Sequence, residues 1–60
     1  MIKSIEFKTI DEACTYAGKA MARAAASHLQ IRLRRTNERF IEIDAPDDVQ
    51  DKLAELMSVN

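Results

Sequence analysis

The patterning of this chain predicts an α+β fold with elements in the order strand, helix, strand, strand, helix. Three observations carry the prediction. Apolar residues alternate with period two over residues 2–8 and 29–44. They recur at spacings of three and four over residues 10–28 and 49–57. Helix-start signals stand before each of the latter runs, Thr9-Ile10-Asp11-Glu12 and Ala45-Pro46-Asp47-Asp48. Two amphipathic helices on one face of a three-stranded sheet make a two-layer β-α-β-β-α domain, and residues 1–60 form a single unit. By analogy with split β-α-β folds, the first strand is expected beside the third.

The first strand candidate is residues 2–8. Ile5 and Phe7 share the core side with Lys3, while Glu6 and Lys8 face water. The capping box follows: the Thr9 hydroxyl accepts from a first-turn amide and Glu12 reaches back to the amide of Thr9. The first helix is expected to run to about Ser27. Its apolar stripe is Ile10, Ala13, Cys14, Ala17, Ala20, Met21, Ala24 and His28. Gly18 falls on the polar side, and Lys19 and Arg23 are expected to be exposed one turn apart.

Leu29–Asp44, LQIRLRRTNERFIEID, reads as a β-hairpin, greasy on one face and charged on the other. Keeping Leu29, Ile31, Leu33, Ile41 and Ile43 on one face requires paired residue numbers to sum to an even value. A three-residue loop pairs Leu33 with Ile41; a five-residue loop pairs Leu33 with Ile43, Arg34 with Glu42 and Arg32 with Asp44. A two-residue turn puts Leu33 opposite Glu42 and is rejected. Asn37 is the loop residue best suited to a positive φ. In the last helix the stripe is Val49, Leu53, Leu56 and Met57, with Pro46 in the first turn behind an Asp44 or Ala45 cap. Asp48 and Lys52 are spaced to pair, and Ser58-Val59-Asn60 is expected to fray.

Hydrophobic residues make up 47% of the 60, but many are alanines and there is no Trp, so the core is wide and shallow. Such a core favours self-association, and a homodimeric phage or plasmid accessory protein is one alternative reading. A lone cysteine excludes an intrachain disulfide and a Cys-based zinc site, and favours a cytoplasmic setting. No apolar run approaches a membrane span, and MIKSIEFK does not resemble a signal peptide. The net charge of −1 conceals an asymmetry: +4 over residues 1–41 and −5 over residues 42–60. Opposed ends of this kind suit internal pairing or a charged partner.

No residue set suggests catalysis, a cofactor or a metal. Cys14 lies on the apolar stripe and His28 about four turns away, so neither supplies the other with a base. An enzyme is not expected. Arg32, Arg34, Arg35, Arg39 and Phe40 form the alternative nucleic-acid or interface patch. Glu42 and Asp44 share that face and offset its field, and the isoelectric point of about 5.7 is not that of a nucleic-acid-binding domain. Phe40 falls on the polar face, where it either covers arginine stems or meets a second chain. The remaining candidate is the acidic face of the last helix, Asp47, Asp48, Asp51 and Glu55.

The element order, Ile5-Glu6-Phe7 with Thr9-Ile10, the run Ile31-Arg32-Leu33-Arg34 with Asn37 and Ile41-Glu42-Ile43, and Asp47-Asp48 with Lys52-Leu53, Glu55-Leu56-Met57 and Val59 together resemble the DinI-like family. Those proteins are small regulators of the RecA recombinase filament. The resemblance implies a non-enzymatic regulator in the DNA-damage response that binds a protein partner through Asp47, Asp48, Asp51 and Glu55. The acidic, aromatic extension after the last helix in that family has no counterpart in these residues.

Overall fold

The computed structural model describes residues 1–58. The elements are β1 (Ile2–Glu6), α1 (Ile10–Ala26), β2 (Arg32–Asn37), β3 (Phe40–Asp44) and α2 (Asp47–Ser58). They form the expected α+β domain: a three-stranded antiparallel sheet in the order β1-β3-β2, with two helices. β1 does lie beside β3. The expected fraying of Val59 and Asn60 lies outside the described residues.

β3 is the middle strand, so its inward side chains Ile41 and Ile43 are the sheet's buried residues. They meet Ala13, Ala20 and Ala24 of α1 and Leu53 of α2. Alanine at three contact positions lets the α1 axis approach the sheet closely, and larger side chains, among them Ile5, Phe7, Leu33 and Met57, fill the rim. α2 runs along the β1 side, from Gln50 beside Met1 to Met57 beside Phe7.

Thr9 caps α1, its Oγ1 accepting from the Glu12 amide at 3.1 Å. The other end closes in a Schellman arrangement. Leu29 N–H donates to Ala24 O (2.8 Å) and His28 N–H to Ala25 O (3.2 Å), with His28 at φ 58°. This turn takes Leu29–Ile31 out of the strand, so β2 begins at Arg32 rather than Leu29. β1 is likewise shorter than expected, ending at Glu6, although Phe7 N–H still donates to Arg39 O at 2.8 Å.

The hairpin resolves the parity question in an unexpected way. Leu33 pairs with Ile43, Arg34 with Glu42 and Arg32 with Asp44, the register of the five-residue loop. At the tip, however, Asn37 pairs with Phe40 across Glu38-Arg39, a two-residue connection. A register shift between Arg35 and Asn37 inserts Thr36 and returns the body of the hairpin to even parity. A tight turn is therefore compatible with the aliphatic face once a bulge is allowed. Asn37 does not take a positive φ; its Oδ1 accepts from the Arg39 amide at 2.9 Å, an Asx turn that organises the tip.

Several expected placements on α1 differ. Cys14 is exposed, not buried, and so are Ile10 (43%), Met21 (52%) and His28. The buried arc centres on Ala13, Ala20 and Ala24 and continues toward Tyr16 and Arg23, because α2 packs on that side. Arg23 is accordingly half-buried rather than exposed.

Candidate functional site

At about 100° per residue, Asp47, Asp48, Asp51 and Glu55 fall within an arc of roughly 100° on α2. All four are exposed. Asp47 and Asp48 also occupy the first turn, where their charge complements the helix dipole. Lys52 pairs with Glu55 at 3.8 Å, not with Asp48. Both side chains of that pair are largely exposed, so it contributes little stability. Asp47, Asp48 and Asp51 make no ion pair among the described residues.

The opposite face of α2 fixes this display. Leu53 is buried to 2% exposure, and Leu56 and Met57 are half-buried. Gln50, at 5% exposure, joins them. Its Nε2 donates to Ile43 O at 2.8 Å and to Met1 O at 3.3 Å, tying α2 to the end of β3 and to the start of the chain. The Met1 and Ala45 backbones bond to each other at 3.0 and 3.1 Å, and Pro46 O accepts the first helical bond from Gln50 N at 2.9 Å. Pro46 thus stands immediately before the helix rather than inside its first turn. At the far end, Arg23 Nη1 donates to Leu56 O at 2.9 Å, so a side chain of α1 bonds a last-turn carbonyl of α2.

Spacing alone was enough to place Gln50 inward, since it lies three residues before Leu53 and seven before Met57. Its polar side chain hid it from a search for apolar positions. Arg23 carried no such signal: its role depends on where α2 docks.

The arginine set is divided by the fold. Arg32 and Arg34 lie with Phe40 on the sheet face that carries no helix, opposite Asp44 and Glu42. Arg34 and Glu42 approach to 3.4 Å, and Arg39 reaches Glu6 at 3.9 Å. Arg35 sits on the helix-bearing side opposite Ile41, with Nη2 donating to Glu38 O at 3.3 Å. Phe40 is half-buried, with Glu6 and Asn37 as its register neighbours. Among the described residues these arginines do not form a continuous track of unpaired cations.

Cys14 lies in the first half of α1 and His28 in the turn beyond its far end, so roughly 18 Å of helical rise separates Cys14 from Ala26 alone. Among the described residues no group of three or more His, Cys, Asp or Glu is placed to hold a metal ion, and no helix is long and apolar enough to cross a membrane. Phe7 and Tyr16 stack obliquely, centroids 5.1 Å apart at 46°, and burial pushes the Tyr16 hydroxyl above its ordinary pKa. Comparison with family models, with curated proteins and with solved structures gives no match to this chain.

Proposed function

We propose that the protein is a small regulator that acts by binding a protein partner, without turnover, through the acidic outer face of α2. The observation that supports this reading is the rigid display of Asp47, Asp48, Asp51 and Glu55 on one exposed arc whose reverse side is locked by Leu53, Gln50 and Arg23. A pre-organised charged face loses little conformational freedom on binding. Its sign selects a basic surface on the partner. The resemblance to the DinI-like family makes a RecA-type filament on single-stranded DNA the first partner to test. The hairpin arginines are the weaker candidate for a nucleic-acid contact, because Glu42 and Glu6 pair with Arg34 and Arg39 and Asp44 is the register neighbour of Arg32.

The test measures filament binding by fluorescence anisotropy for the native chain and for the double variant Asp48→Lys/Asp51→Lys, alongside a pull-down from the native host. Circular dichroism checks that the variant folds. Both replaced side chains are exposed, so the fold is expected to survive. The expected result is binding that weakens with salt and falls at least about tenfold on charge reversal. A folded variant that keeps the same partner at the same affinity overturns the α2 reading. A host partner other than the filament, lost on charge reversal, removes the filament and retains the face.

A further inference from the structure

The α1 stripe is wider than the arc the fold buries. Cys14 and Met21, together with Gly18, are left exposed beside β2, which is an edge strand. Between them lies an open groove of about 360 Å³, lined by Cys14, Ala17, Gly18, Met21, Leu33 and Ile41 and bordered by Arg34 and Arg35. A Cβ built on Gly18 meets nothing within 4 Å, so the groove is unfilled there. Met21 also borders a neighbouring groove of about 760 Å³ that includes Leu29 and Ile31. One side of this flank is therefore apolar. The other is a strand, Arg32–Asn37, whose outer edge has no strand paired to it among the described residues. An extended segment added to that edge gains backbone hydrogen bonds along with an apolar floor for alternate side chains.

Charge selects the occupant. β2 carries Arg32, Arg34 and Arg35 and no acid. Arg32 and Arg35 make no ion pair among the described residues, and Arg34, although paired with Glu42, keeps 73% of its side chain exposed. A second copy of β2 would bring six arginines to one seam, and like charges set opposite one another destabilise a sheet. An acidic segment meets the same residues favourably.

We infer that the β2 edge and its groove bind an extended protein segment by strand addition. Its preferred residues opposite Arg32, Leu33, Arg34 and Arg35 are acid, apolar, acid and acid. The acids opposite Arg32 and Arg34 lie on the open face of the sheet. The apolar residue enters the groove against Leu33, Met21 and Gly18, and the last acid meets Arg35 at the groove's mouth. This surface is independent of the acidic face of α2 and opposite to it in charge.

A random heptapeptide library displayed on phage and panned against the full chain tests this. The enriched peptides are then titrated into isotopically labelled protein and followed by amide NMR. Enrichment of the acid-apolar-acid-acid pattern in either chain direction is expected, with shifts at Arg32–Asn37 and at Cys14–Met21. Arg32→Glu/Arg34→Glu is expected to weaken binding at least about tenfold. Gly18→Leu, which fills the groove at an exposed position, is expected to weaken it while leaving the fold intact, and Asp48→Lys/Asp51→Lys is expected to have no effect. No enrichment, enrichment of peptides lacking acids, or shifts confined to α2 overturns the inference. Sedimentation that reveals a dimer abolished by Gly18→Leu also overturns it, since a second copy would then occupy the groove.

Discussion

The two flanks of α1 differ in how they are finished. Toward β1, the helix meets α2: Tyr16 stacks on Phe7, Arg23 caps the Leu56 carbonyl, and Gln50 and Leu53 close the layer onto β3. Toward β2, Cys14, Gly18 and Met21 look out over a groove that no further helix covers among the described residues. Both flanks belong to one amphipathic helix with one apolar periodicity. The difference is the presence of a neighbouring element. Two helices do not cover the whole face of a three-stranded sheet, and here the uncovered margin falls beside the strand with the most arginine. One flank is therefore built for stability, and the other offers surface.

The largest break in this contrast is expected at Leu53. Leu53→Ala removes the buried centre of the α2 contact and is expected to cost about 2–5 kcal/mol, read from the urea midpoint. Gln50→Leu keeps the volume and removes a second donor, at 2.8 Å, from the Ile43 carbonyl that the β1 ladder also serves; a loss of about 0.5–1.5 kcal/mol is expected in the same measurement. An unchanged midpoint would show that the polar clamp contributes nothing beyond packing. On the open flank the sign reverses. Gly18→Ala places a methyl where nothing lies within 4 Å, and is expected to stabilise the protein by about 1 kcal/mol through helix propensity. Destabilisation would mean that the groove is filled in solution. His28→Gly removes a side chain from a position at φ 58° and is expected to add about 0.5–1 kcal/mol, seen as a raised thermal midpoint.

The smallest effect concerns pH. Burial raises the Tyr16 pKa in the folded state, because the phenolate is disfavoured away from water. The neutral form is therefore favoured by folding. Its contribution is fully present below the unfolded tyrosine value of about 10 and is lost as pH rises through the folded value. A decline in stability in alkaline solution that disappears in Tyr16→Phe is expected. Equal alkaline declines in both proteins would place the effect elsewhere.

The element order was legible because its signals are local: Thr9 before an acidic first turn, alternation through Arg32–Leu33–Arg34, and Pro46 before Asp47-Asp48. The four acids of α2 were legible for the same reason, since helical geometry alone sets their common arc. Reading the hairpin by parity found the pairing of Leu33 with Ile43 among its alternatives. It missed the Thr36 bulge, because an inserted residue breaks the strict period on which the argument rests. Cys14 was misplaced because periodicity defines an apolar side of a helix but does not say which part of that side a neighbour will cover.

The sequence by itself determined the elements, their order and the outward display of Asp47, Asp48, Asp51 and Glu55, all of which depend on interactions within a few residues. Only the tertiary structure decided that Gln50 is a buried clamp, that Arg23 caps a helix other than its own, and that Met21 and Cys14 remain exposed beside an arginine-rich edge. Those outcomes depend on the side of α1 against which α2 docks. Docking is governed by the burial of Leu53, Met57 and the Gln50 side chain against distant parts of the chain, and no local pattern encodes it.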